Sequence, residues 1–404
     1  MINIFRKKLE IRRDSNLFIS IGAGFNQLPL IREAKSLGYH IIGIDKNTNS
    51  AGIIESDIRI QESVDNYEEI FVKLQELLLA GKVKGVLSRS YGSAIKTASF
   101  IADKLGIKYI PFNRVDELID KKKMKTSLKN NGLPMIPSAT IKSSAKTPVI
   151  FKPAVGHAKS GIKYFEKSAD LAKYLKTNKI KNTDDYILEH YIDGDEIIAV
   201  GIIADKKFYL VEITDKVTTG IPYFVDKMHV SPSKYYDKWE EISDIGQKIS
   251  DTFEIINSPI VIEFKVDNSN GNKLYIIETA AEFGGEFLCD KLIPLVTGYN
   301  IIRQSILAMT TGEFTPPIPK PQKSAGVVKY IMPEDGEFIY FKPKAPDSIP
   351  CVIYSRIFKE IGSKIQSPVT NHDRLGVVVV KSRTPENAIE IANNAINELQ
   401  IKIK

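Results

Sequence analysis

The chain has 404 residues, 43% hydrophobic and 26% charged, with 25 Gly and 20 Pro; this predicts two to four globular domains and excludes a disordered, collagenous or coiled-coil protein. Lys and Arg number 56 against 49 Asp and Glu, a net +7 that suits anionic small molecules better than a nucleic-acid backbone. Two cysteines, five histidines without metal-ligand spacing and no long apolar run exclude a disulfide framework, a Cys-based zinc site and a membrane span, and with charged residues 1–13 they predict a cytoplasmic protein.

Residues 1–111 alternate strand-like and helix-like patterns, as in a parallel α/β sheet. Strands are expected at 17–21, 40–44, 85–88 and 108–110, and helices at 28–37, 67–79 and 93–105, with Gly38 and Gly106 as C-terminal stops. The whole reads as a Rossmann-like domain. A second region, 112–195, holds a basic helix start from Asp120 to Lys125, then a strand at 148–153 and a glycine loop. In the third, 196–404, residues 315–321 are an extended Pro-rich spacer, followed by strands at 325–331 and 375–381 and a helix at 385–399.

Four segments carry chemistry. Gly22 and Gly24 lie at a strand-to-helix junction, with Asp45 ending the next strand, the pattern of a dinucleotide site; Gln27 stands where its third glycine belongs, which favours a tight turn that binds no dinucleotide. Lys152 ends a strand before the loop from Gly156 to Gly161, whose backbone donors can close over phosphates, although such a loop also serves as a plain hairpin. The run from Tyr186 to Glu196 offers apolar walls, a backbone edge and two acids, Glu189 and Glu196, for a nucleoside, or else an edge strand and a solvated turn. Finally, two strands joined by a turn ending at Gly271 carry one acid each, Glu263 and Glu278. Facing carboxylates in apolar strands call for a cation, and hard oxygen ligands beside phosphates point to magnesium; the alternative is that one or both lie on a solvated face.

In order, spacing and type these segments resemble the ATP-grasp superfamily of ligases and carboxylases, over nearly the whole chain. The resemblance implies ATP and Mg²⁺ as cofactors and a fold in which a Rossmann-like domain is followed by an ATP-grasp lid domain and an α+β C-terminal ATP-grasp domain. It implies that Lys121 and Lys152 touch ATP phosphates, and that Gly156, His157, Ser160 and Gly161 belong to the mobile glycine loop. Glu189, His190 and Ile192 match the adenine linker, Glu196 the ribose acid, and Glu263 and Glu278 the metal ligands. Two positions depart from the family pattern: Ala280 replaces an asparagine ligand, and Glu282 replaces an arginine. A glutamate there opposes acyl-phosphate charge unless the substrate, or another Lys or Arg, brings a cation, so Glu282 is the candidate catalytic and substrate-facing residue.

The expected activity is an ATP- and Mg²⁺-dependent carboxylate–amine ligase acting through an acyl-phosphate. Its expected partners are small-molecule carboxylate and amine substrates, with neither nucleic acid nor membrane, and a homodimer is common among proteins it resembles. An ATP-grasp carboxylase, a catalytically silent nucleotide-binding protein and a nicotinamide oxidoreductase remain as alternatives.

Overall fold

The computed structural model describes residues 4–6, 15–77, 81–90, 92–140, 148–156, 158–180, 182–319, 324–343 and 348–404. Strands Ser15–Ile21 and His40–Asp45 are buried almost end to end, as strands covered by helices on both faces must be. Ser15–Ile21 pairs in parallel with His40–Asp45 and Gly81–Leu87, and His40–Asp45 pairs in parallel with Ile58–Gln61. Ile4–Arg6 adds an antiparallel edge to this five-stranded sheet. The first long strand thus lies mid-sheet, and the chain changes direction across the sheet beside it, where open α/β sheets place their crevice.

Helices Leu28–Ser36, Tyr67–Leu77 and Ser93–Leu105 occupy the expected places, and Gly106 ends the last of them at φ +68°, a left-handed value that glycine adopts without strain. Residues 108–110 are not the expected strand. Pro111 follows and has no N–H with which to extend a ladder. The segment's carbonyls accept instead from Ile256 N (3.1 Å, on Tyr109) and Ser99 Oγ (2.8 Å, on Ile110). Ile58–Gln61, too short to stand out in the sequence, takes a place in the sheet.

Asp120 caps the helix Lys121–Asn130 by accepting from the N–H groups of Lys122 and Lys123. Beyond it a three-stranded antiparallel sheet has the order Lys163–Phe165, Val149–Pro153, Tyr186–His190. Its own small core is Val149, Phe151 and Leu171, the last from helix Ser168–Thr177.

An eight-stranded antiparallel sheet forms the centre, in the order Lys273–Ala280, Ser258–Asp267, Asp195–Ala204, Lys207–Thr218, Asp226–Ser231, Ala325–Ile331, Gly376–Ser382, Val352–Ile357. Helix Pro385–Glu398 covers its far end with Ala388, Ala392 and Ala395, small residues that pack closely on Val327, Val378 and Val380. Helix Ile301–Thr310 joins the central and N-terminal sheets: Gly85 has no Cβ to obstruct Thr310, and Met309 Sδ accepts from Val86 N (3.3 Å). Among the described residues no helix is long and apolar enough to cross a membrane.

Candidate active site

The glycine turn after Ser15–Ile21 is occupied by the protein's own groups. Asp45 accepts from the N–H groups of Ala23 (3.0 Å) and Asn47 (2.9 Å), and Gly52 N–H donates to the Ala23 carbonyl (2.7 Å). Gln27 bridges to the loop after Gly81–Leu87: its Nε2 donates to Ser90 Oγ (2.8 Å) and its Oε1 accepts from Arg89 N (2.8 Å). The acid that a ribose would need is therefore already bound, and Gln27 binds together the two loops at the crevice.

Across the central sheet, Ser258–Asp267 and Lys273–Ala280 form the expected hairpin, with Asp267 capping the turn and Gly271 in the left-handed region at φ +63°. Glu263 pairs directly with Glu278. The register shifts between Glu263 and Phe264, leaving Ile277 as an extra residue, and such a bulge lets consecutive side chains point the same way. Ile277 and Glu278 accordingly both face the cleft. Glu278 receives Lys121 Nζ (3.0 Å) and Glu263 receives Lys216 Nζ (2.7 Å). Burial disfavours the charged form of Glu278, but Lys121, Lys152 and Lys159 outweigh it and hold its pKa well below the usual carboxylate range.

Lysines from separate elements surround this pair. Lys121 also donates to the Gly156 carbonyl (2.7 Å), fastening the glycine loop, and Lys159 lies 3.9 Å from Glu263 and 4.0 Å from Glu196. Lys216, fully enclosed, approaches Asp226 (3.5 Å) and Glu196 (3.6 Å) as well. Burial alone would lower the Lys216 pKa; Asp226, Glu263 and Glu196 instead raise it well above the ordinary value. Glu196 is disfavoured as an anion by burial, yet Lys159, Lys216 and Lys265 keep its pKa below normal.

Beside this cluster a slot is walled by Ile136, Ile150, Ile162, Ile192, Phe224 and Ile277, with Lys152, Glu189, His190 and Glu196 along it. Apolar walls with a few polar groups are what a nucleoside requires. The Glu189 side chain is buried and receives Lys152 (2.8 Å) and Lys125, so its carboxylate neutralises two lysines rather than facing solvent. Ser160 and Gly161 are on the loop over the slot, Ser160 beside Lys121, Lys152 and Gly156. His157 lies outside the described residues.

Next to the hairpin is a cavity of about 390 Å³, lined by Asp226, Glu263, Glu278, Ala280, Glu282, Glu286, Arg89 and Arg374 among others. Ala280 lines it without a donor. Burial, with Glu278 nearby, pushes the Glu282 pKa up to about 8. Arg374 donates to Glu286 (2.8 Å) and stacks on Tyr330, its guanidinium carbon 3.7 Å from the ring centroid. Asn371 reaches the cavity too, donating from Nδ2 to Asp226 (2.7 Å). Lys159, Lys216, Asp226, Arg89, Asn371 and Arg374 are absent from the sequence reading. The strand that carries Lys216 also holds Glu212 and Asp215, so its sequence does not set Lys216 apart.

Two carboxylates in register on one cavity fit a magnesium ion, which takes one or two protein carboxylates and completes its shell with phosphate and water oxygens. Among the described residues no group of three or more His, Cys, Asp or Glu is placed to hold a metal, so Glu263 and Glu278 would act as a pair.

Residues 145–290 match the ATP-grasp domain and residues 342–404 the L-amino acid ligase C-terminal domain 2. No curated protein matches the chain. Among solved structures, an L-amino acid ligase from Bacillus licheniformis is similar at TM-score 0.76 and 18% identity, covering 97% of this chain and 100% of its own. Phosphoribosylglycinamide synthetase from Anaerococcus prevotii gives TM-score 0.74 and 20% identity over 97% and 100%. The biotin carboxylase domain of Hydrogenobacter thermophilus 2-oxoglutarate carboxylase, solved as a dimer with MgADP, ADP and bicarbonate, gives 0.72 and 16% over 97% and 91%. With the fold and both domain matches in agreement, the chain carries an ATP-grasp domain and an L-amino acid ligase C-terminal domain, the make-up of an ATP-dependent ligase.

Proposed function

We propose that the protein is a carboxylate–amine ligase using ATP and Mg²⁺. The carboxylate takes the terminal phosphoryl of ATP, giving an acyl-phosphate and ADP; the amine then attacks the acyl carbon and releases phosphate, so that a poor leaving group is exchanged for a good one. The carrying observation is that Glu263 and Glu278 lie in register where the nucleotide slot meets the 390 Å³ cavity, with Lys121 and Lys152 at the junction. Lys121 and Lys152 hold the phosphates, and Glu196 and the linker at Glu189, His190 and Ile192 hold the nucleoside. The loop with Gly156, Ser160 and Gly161 excludes water. A magnesium ion bound by Glu263 and Glu278 would supply charge neutralisation at the phosphates. The regions 1–111, 112–195 and 196–404 act as base, lid and catalytic domain in this reading.

The test is a matrix of carboxylates and amines scored for ADP and phosphate, with mass spectrometry of each product. A carboxylate–amine pair that yields an amide and ADP is the expected result. AMP as the product would redirect the chemistry to adenylation, stimulation by bicarbonate alone would make the protein a carboxylase, and no turnover anywhere would leave a silent nucleotide-binding protein, the reading that Ala280 and Glu282 favour.

A further inference from the structure

Three buried ionic side chains meet at one wall of the slot. Glu189 receives Lys152 on Oε2 (2.8 Å) and Lys125 on Oε1, and all three residues are less than a tenth exposed. The backbone fixes two of them: Glu189 is in register with Ile150, and Lys152, two residues further along that strand, projects from the same face. Lys125 comes from another element, helix Lys121–Asn130, one turn after Lys121. Lys152 and Glu189 line the slot, whereas Lys125 lines a separate groove with Lys122, Lys129, Phe151 and Leu188. Lys125 therefore acts on the slot through Glu189.

One cation is enough to neutralise a buried carboxylate, and Lys152 alone meets that need. A second ammonium on the same acid leaves a positive charge in surplus, and a buried surplus charge is destabilising. The cost falls on Lys125, whose pKa burial lowers below the ordinary lysine value against the pull of Glu189. A surplus is of use where an anion is to be bound. Lys121 and Lys152 both face a carboxylate, Lys121 facing Glu278 at 3.0 Å. Glu278 is a candidate metal ligand, so a metal ion bound there releases Lys121. Glu189 is outside that pair of ligands, and alone with Lys152 it would cancel the charge of the lysine.

Resting on the reading of Lys152 as a lysine that holds phosphate, we infer that Lys125 is a positioning residue for the nucleotide: by taking one oxygen of Glu189, it leaves the charge of Lys152 free to act on the phosphates. One helix then serves the phosphates twice, directly through Lys121 and from behind through Lys125. Without Lys125, Glu189 and Lys152 close into a neutral pair.

Titration calorimetry on the full chain with MgADP and with adenosine tests this, because adenosine fills the slot without presenting phosphate. The parent is expected to prefer MgADP. Lys125→Met should weaken MgADP about 10-fold or more while adenosine stays within about 2-fold. The double variant Lys125→Met/Glu189→Gln removes the acid together with the surplus cation, and it should restore the preference for MgADP although it has lost more native contacts than the single variant. Loss of both affinities in step, or a double variant no better than the single one, would make Lys125 a structural pin and overturn the inference. Lys152→Met separates the two readings. If it removes the preference while Lys125→Met does not, the phosphate role of Lys152 stands and the inference about Lys125 falls. If neither variant changes the preference, Lys152 does not hold phosphate and both fall.

Discussion

Lys216 Nζ lies 2.7 Å from Glu263 Oε2 in a position closed to solvent, and the same ammonium serves Asp226 and Glu196. One cation therefore holds three acids. Removing one member of a buried charged group strands the others, at a cost of about 3 to 5 kcal/mol. Lys216→Met is expected to lower the unfolding free energy by that order in urea titrations. A loss below about 1 kcal/mol would show that the acids are neutralised in another way.

Glu263→Gln and Glu278→Gln each remove a negative charge at constant size. Each variant is expected to keep its fold by circular dichroism and to lose two or more orders of magnitude in ATP turnover, since metal charge contributes several kcal/mol to phosphoryl transfer. Near-parental rates in both would place the metal elsewhere.

MgATP should stabilise the protein and NAD should not, because Asp45 and Gln27 are already engaged by Ala23, Asn47, Ser90 and Arg89. At one hundred times the dissociation constant, linkage gives roughly 2.7 kcal/mol. A thermal melt reads this directly; stabilisation by NAD and none by MgATP would reverse the assignment.

Glu212 gives a pH dependence away from the nucleotide slot. It is fully buried, its Oε1 accepts from Ile213 N (2.9 Å), and burial, offset only in part by the Ile213 N–H and the Ser231 hydroxyl, raises its pKa to about 7 from 4.5. The folded state then holds the proton more tightly than the unfolded state. Stability from this group is complete below about pH 4.5, declines as the pH rises through about 7, and is flat above, with a total change on the order of 3 kcal/mol. Glu212→Gln should flatten that part of the stability profile, measured by denaturant titration from pH 5 to 8. An unchanged slope would mean that Glu212 is ionised in the fold.

The hairpin was legible because its information is local: two alternating runs, a turn of Asn, Ser and Gly, and one acid in each run. The glycine loop and the helix capped by Asp120 were legible for the same reason. Lys216, Asp226, Arg89 and Arg374 were not, because the central sheet places neighbours that are far apart in the chain, and Arg89 and Arg374 reach the cavity from loops. Residues 108–110 were misread because apolar residues after a glycine stop resemble a strand, while the decisive fact was the proline that follows. Glu189 was expected to serve a nucleoside, but an apolar strand with one acid does not reveal that Lys125 and Lys152 both meet its carboxylate.

The bulge at Ile277 divides labour within a single strand. A regular strand would turn one of two adjacent residues inward, whereas here Ile277 walls the apolar slot while Glu278 lines the neighbouring cavity. Deleting Ile277 would restore ordinary alternation: Ile276 would still oppose Phe264 and Glu278 would still oppose Glu263, but the slot would lose a wall. Under the proposed function, affinity for the nucleoside and the charge that acts on its phosphates would thus change independently, by insertion or loss of one apolar residue, without either carboxylate leaving its place.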